Sequence, residues 1–125
     1  MNLLLTFLFF IIPTFSFSQS NEISQVSNAN YASLIMYHRF GDSRYPSTNI
    51  KKEQFMKHIN ELLKPKYNVI NIGKALKAIN NVELIKDRSV VITIDDAYSS
   101  VYKYAWPIFK KHNLPFTLFV STDVI

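Results

Sequence analysis

Two adjacent carboxylates, Asp95 and Asp96, close the β-branched run Val90–Ile94 in the segment Thr93-Ile94-Asp95-Asp96-Ala97-Tyr98. In α/β sheets functional groups collect at the carboxyl ends of strands, so an acidic pair at that place can divide labour. One carboxylate can hold a hard or borderline cation. The other, close to the metal but not on it, can act as general base toward a bound water whose pKa the cation lowers. Adjacent residues at a strand end point in opposite directions, which would separate the two roles. Asp is also a common turn and N-cap residue, and from the pair alone a capping role carries equal weight.

Tyr37-His38-Arg39 ends an earlier apolar run, so in a parallel sheet His38 lies at the same end as Asp95 and Asp96. A lone His there is a ligand, a proton carrier or a residue that ties down a loop, the last being the commonest. Asp96 and His38 make two donors, fewer than the roughly three protein ligands of a catalytic zinc site. His58 and His112 fall singly on predicted helices and read as structural or solvent-facing. Arg39, Arg44 and Tyr45 could hydrogen-bond a polar substrate, although Arg44 beside Asp42 reads equally well as a surface pair. With no cysteine, thiolate zinc sites, cysteine nucleophiles and disulfides are excluded. No G-x-S-x-G elbow occurs, and the two glycines, Gly41 and Gly73, lie too far apart for a phosphate-binding loop.

These residues need elements to hold them. Ser33–Tyr37 (SLIMY) predicts a strand, and the stretch from Arg39 to Asn49 a long loop. Phe55, Ile59, Leu62 and Leu63 then recur at helical spacing, with Ser47, Thr48 or Asn49 as cap and Pro65 beyond the end. Tyr67–Ile70 predicts a strand, and Ile72, Ala75, Leu76 and Ile79 the apolar face of a short helix ending at Asn80-Asn81. Val90–Ile94 fits a strand covered on both faces, as in a parallel sheet. Val101 to His112 follows helical spacing, with Pro107 either kinking or opening the helix, and Phe116–Val120 is a fourth strand. Strands alternating with helices predict an α/β fold with right-handed crossovers. Four strands make an open sheet, whereas a closed βα barrel needs roughly 200 residues or more.

Ahead of this lies an address. Residues 3–12 read LLLTFLFFII, too short to span a bilayer, and Ser16 and Ser18 suit cleavage after Ser18. Residues 1–18 are therefore expected to be a signal peptide, making the protein secreted or periplasmic with no stable membrane span. An uncleaved, tethered form is the alternative. Residues 19–30 read as a polar leader, and the fold is expected from about Tyr31. Of 125 residues, 14 are Lys or Arg and 9 Asp or Glu, a formal charge of +5. The lysines fall singly or in pairs on polar helix faces, which argues for solvated surfaces and against nucleic acid as a partner.

Leu34-Ile35-Met36-Tyr37-His38-Arg39-Phe40, the helix carrying Phe55, Val90–Tyr98, Pro107 and Leu114–Val120 together resemble, in order and spacing, the polysaccharide deacetylases with a NodB-homology domain. The resemblance runs from about Tyr31 through residue 125. It implies the first half of a distorted βα barrel, parallel strands alternating with helices. It also implies a hydrolase that removes N-acetyl groups from an amino-sugar polymer, acting on a carbon–nitrogen bond that is not a peptide, with a divalent metal, commonly zinc. The family motif T-[FI]-D-D makes Asp95 the general base and Asp96 a metal ligand. His38, Arg39 and Tyr98 are candidate substrate contacts, and the backbone N–H groups near Ala97 and Tyr98 candidate oxyanion donors. The family often has Gly at the place of Ala97.

The family's second motif, H-[ST]-x-x-H, would follow the Phe116–Val120 strand, but the sequence ends five residues after Val120. The chain is thus expected to correspond to an N-terminal half, inactive alone, its metal site incomplete unless a second chain completes the barrel. A non-catalytic carbohydrate-binding or vestigial fragment is the alternative. A receiver-like phosphoacceptor domain comes last, because its cytoplasmic setting conflicts with the signal peptide.

Overall fold

The computed structural model describes residues 28–122. The signal-peptide reading lies outside these residues, as does most of the polar leader. Asn28–Ala29 (β1) nevertheless pairs antiparallel with Ile85–Lys86, and Ala29 is buried. Residues 28–30, read as leader, therefore belong to the folded part.

Four strands form the central sheet: β2 (Ser33–Tyr37), β5 (Asn68–Ile70), β7 (Ser89–Asp95) and β8 (Thr117–Phe119). The short β3 (Arg39–Phe40) and β4 (Asn49–Ile50) pair parallel to each other outside it, and Ile85–Lys86 is β6. All pairings in the central sheet are parallel. β2 runs along β7 from Val90 to Ile94. The opposite edge of β7 is shared, with β5 beside Ser89–Val91 and β8 beside Thr93–Asp95. A strand flanked on both edges and covered on both faces needs apolar residues at successive positions, which is why Val90–Ile94 does not alternate.

One face of β7 carries Val90, Ile92 and Ile94 into the larger core, against Tyr37, Phe40, Phe55, Ile59, Leu62 and Phe109. Helix α1 (Lys52–Leu62) supplies Phe55, Ile59 and Leu62 to it, as their spacing predicts. Leu63 is exposed, and none of Ser47, Thr48 or Asn49 caps this helix. Asn49 instead accepts from the Asp42 N–H at 2.7 Å and Thr48 from Arg39 at 2.6 Å, while the N-cap is Lys51. Its free N–H is met at 3.4 Å by the Gln54 side-chain oxygen, the returning half of a capping box.

Val91 faces the other way, into a smaller core with Ile70, Ala75, Ala78 and Ile85. Helix α2 (Ile72–Ile79), capped by the Asn71 side chain on the Lys74 N–H, thus buries Ala75 and Ala78. The expected face through Leu76 and Ile79 is wrong, since both are exposed. Apolar residues flank both sides of this helix, and the two alanines, lacking bulk, are the ones that sit against the strands.

Pro107 sits where a π-helical turn (Val101–Ala105) passes into α3 (Trp106–Lys111), in the first turn of α3.

Tyr37 closes the large core where β2 ends. Burial pushes its phenol up to about 12, and its hydroxyl meets His58 Nδ1 at 2.8 Å, so His58 is structural. The raised value means the folded state keeps a proton that the unfolded chain loses near pH 10. Tyr37 should therefore stabilise the fold fully below pH 10 and lose that contribution as pH rises toward 12. Urea unfolding of the parent and of Tyr37→Phe across this range is expected to show their stability difference shrinking; a constant difference would refute it.

Candidate active site

The register that pairs Tyr37 with Ile94 brings the next residues, His38 and Asp95, together at the carboxyl ends of β2 and β7. His38 Nε2 stands 3.8 Å from Asp95 Oδ2, both side chains partly buried. That separation is long for a hydrogen bond but suits an ion pair when the imidazole is protonated.

Asp95 is the last residue of β7, and Asp96 leaves the strand with a φ of 67°. Strict alternation requires extended backbone at both residues, and Asp96 lacks it, so the strand does not dictate the direction of its carboxylate. Both Asp95 and Asp96 line one open concavity with Leu34, Met36, Thr93, Phe119 and Val120. The Asp96 N–H donates to the Phe119 carbonyl at 2.9 Å, so β8 fixes the start of the turn.

Ala97 follows with a φ of 50°, a second successive residue in the left-handed region. For a residue with a Cβ this costs about 1–2 kcal/mol, and glycine escapes most of it. Ala97→Gly is therefore expected to raise stability by about 1 kcal/mol, less the extra entropy glycine gives the unfolded chain. Urea denaturation checks it, and a destabilised variant would mean the conformation is not strained.

The loop between β3 and β4 folds over the turn. Arg39 donates to Thr48 Oγ1, and its guanidinium lies 4.0 Å from the Tyr45 ring centre and 3.4 Å from that of Tyr98. Arg44 is committed to Asp42, with two contacts of 2.9 Å, and the guanidinium holds the Asp42 carboxyl below the usual carboxylate range. Arg44 is thus the surface pair its position suggested. Ser100, which nothing in the sequence singled out, accepts from the Phe40 N–H at 3.2 Å.

Among the described residues the donors fall short of the roughly three protein ligands of a catalytic zinc site. Oxygen from Asp95 and Asp96 and nitrogen from His38 are the right chemistry for zinc, but no three His, Cys, Asp or Glu side chains converge among the described residues.

Residues 85–125 match the family described as polysaccharide deacetylase, and these residues include β7, the acidic pair, α3 and β8. Over that stretch the chain is similar to the polysaccharide deacetylase family. Over 87 residues it is 26% identical to YxkH of Bacillus subtilis (strain 168), which carries the name of a polysaccharide deacetylase. That alignment covers 70% of this chain and 30% of YxkH. Among solved structures it is similar to a de-N-acetylase from Aggregatibacter actinomycetemcomitans, at TM-score 0.60 and 24% identity over 70% of this chain and 36% of that one. The Streptococcus pyogenes deacetylase PplD, solved with acetate, gives 0.61 at 21% identity over 75% and 42% of the two chains. The BpsB deacetylase domain of Bordetella bronchiseptica gives 0.56 at 15% identity over 79% and 42%. At such identities the structures attest the fold: α/β with a parallel sheet, over part of a NodB-type domain. The chain spans between 30% and 42% of the length of these deacetylase relatives.

Proposed function

We propose that this chain carries the general-base side of a secreted or periplasmic, metal-dependent polysaccharide N-deacetylase, in the first half of a distorted βα barrel. The observation that carries the reading is Asp95 at the end of the central strand, beside His38 and sharing one open concavity with Asp96. In this reading the substrate is an N-acetylated amino-sugar polymer whose acetamide sits over that concavity.

Asp95 accepts a proton from the water whose oxygen attacks the acetamide carbonyl carbon. The carbon–nitrogen bond then breaks, the nitrogen takes up a proton, and acetate and a free amine result. His38, within ion-pairing distance, steadies the Asp95 carboxylate, and the backbone N–H groups of Ala97 and Tyr98 are assigned to the oxyanion. Asp96 is assigned to the divalent metal, with zinc the expected ion. Further donors must come from outside the described residues, on further polypeptide or on a second chain completing the barrel.

The shortage of metal donors among the described residues favours one other reading, a non-catalytic module that binds the polymer without cleaving it. Acetate release from a soluble N-acetylglucosamine polymer, by the protein isolated with whatever chain accompanies it, separates the two. The deacetylase reading requires release that depends on added zinc.

A further inference from the structure

Three consecutive residues of the β2–β3 segment touch the turn that follows the acidic pair. His38 reaches Asp95 at 3.8 Å, the Arg39 guanidinium lies on the Tyr98 ring at 3.4 Å, and the Phe40 N–H donates to Ser100 Oγ at 3.2 Å. The segment therefore tracks the turn from its first residue to the start of the next helix. Of the three contacts, the central one engages the most partners. The guanidinium has Tyr98 on one side and Tyr45 on the other, and one of its amino groups donates to Thr48 Oγ1 at 2.6 Å.

A planar cation between two aromatic rings gains from both quadrupoles and loses much of its room to turn toward a ligand. Tyr98 closes a turn whose Asp96 and Ala97 both take left-handed backbone, a conformation residues with a Cβ adopt only when their surroundings impose it. Asp96 is tied at one end by its N–H to Phe119 and Tyr98 at the other by Arg39. On the Tyr98 side the backbone is also held by the Val101 N–H on the Tyr98 carbonyl at 2.8 Å, so Arg39 is the side-chain tie there.

We propose that Arg39 is a positioning residue: clamped between Tyr45 and Tyr98, it holds the 95–100 turn in the conformation that places Asp95 and Asp96 along one concavity. This replaces a direct substrate contact for Arg39 and rests on reading Asp95 and Asp96 as the reacting pair. Arg44, 5.6 Å from the Tyr45 ring centre and bonded to Asp42, is not needed for the clamp.

The test needs no turnover, so its failure is distinct from failure of the deacetylase reading. Amide hydrogen exchange is followed by NMR in the 125-residue chain and in Arg39→Met, Arg39→Lys and Tyr98→Phe. Arg39→Met keeps length but removes the planar cation, and is expected to speed exchange of the Asp96 amide about tenfold while Val91 and Ile92 in β7 stay as in the parent. Arg39→Lys, a cation without the plane, falls between, and Tyr98→Phe, which keeps the ring, behaves as the parent. A role confined to overall stability would speed the β7 amides in the same proportion, and that result overturns the proposal, as does an unchanged Asp96 amide. Should Arg39→Met fail to fold, Tyr98→Leu removes the same contact from the other side and is held to the same expectation.

Discussion

Asp95→Asn is expected to lower acetate release by about 10²- to 10⁴-fold, the range that a positioned general base contributes. The amide nearly matches the carboxylate in size and preserves the end of β7, so the fold should survive, but it cannot accept the proton of the attacking water. It also removes the charge that faces His38 at 3.8 Å, a partly exposed pair whose loss costs little stability. The effect should therefore fall on turnover, with thermal unfolding close to that of the parent. Initial rates of acetate release alongside calorimetry check both halves. A variant that keeps most of its activity would remove Asp95 from the chemistry; one that loses activity only because it unfolds would assign it a structural role.

The second large effect lies in the core. Phe55 is fully buried, and its ring packs against those of Phe40 at 4.8 Å, Phe109 at 5.4 Å and Tyr37 at 5.6 Å between centres. These neighbours come from β2, β3 and α3, so Phe55 is where α1 is joined to both the sheet and the last helix. Phe55→Ala loses the transfer energy of a large ring and leaves a cavity that three other rings cannot readily fill. The expected cost is about 3–5 kcal/mol. Domains of this kind are stable by about 5–15 kcal/mol in total, so the variant should be marginal at room temperature. Urea denaturation measures it, and a loss under about 1 kcal/mol would mean that the core collapses around the gap or that the packing differs.

The parts of this architecture that rest on strong periodicity were legible in the sequence. The β-branched, nearly continuous apolar run Val90–Ile94 marks a strand covered on both faces, and Phe55, Ile59 and Leu62 mark the buried side of α1. Parallel pairing placed His38 at the same end of the sheet as Asp95, and the register that sets Tyr37 beside Ile94 makes the two neighbours. Elsewhere the local signal was ambiguous or absent. In α2 the apolar residues spread over more than one face, and bulk misled where closeness to the strands decided. The β1–β6 pair is two residues on each side, too short to show a period. The cap of α1 passed to Lys51 because Thr48 and Asn49 were taken up by Arg39 and Asp42.

At the site, the acidic pair was recognisable but its geometry was not. Asp96 lies beyond the end of β7 in left-handed backbone, so strand alternation no longer governs where its carboxylate points. The stack of Arg39 between Tyr45 and Tyr98 joins residues from two loops and leaves no trace in local spacing. The role of Ser100 depends likewise on a contact between segments distant in sequence.

The central claim is that this acidic pair belongs to a hydrolase. The most direct measurement is acetate released from a soluble N-acetylglucosamine polymer by the protein isolated with whatever polypeptide completes its metal site, in the presence of zinc and again after chelation. The account predicts acetate and free amine in equal amounts, lost on chelation and restored by zinc. Folded protein that retains the polymer but releases no acetate at any zinc concentration would contradict it and leave a binding module in its place.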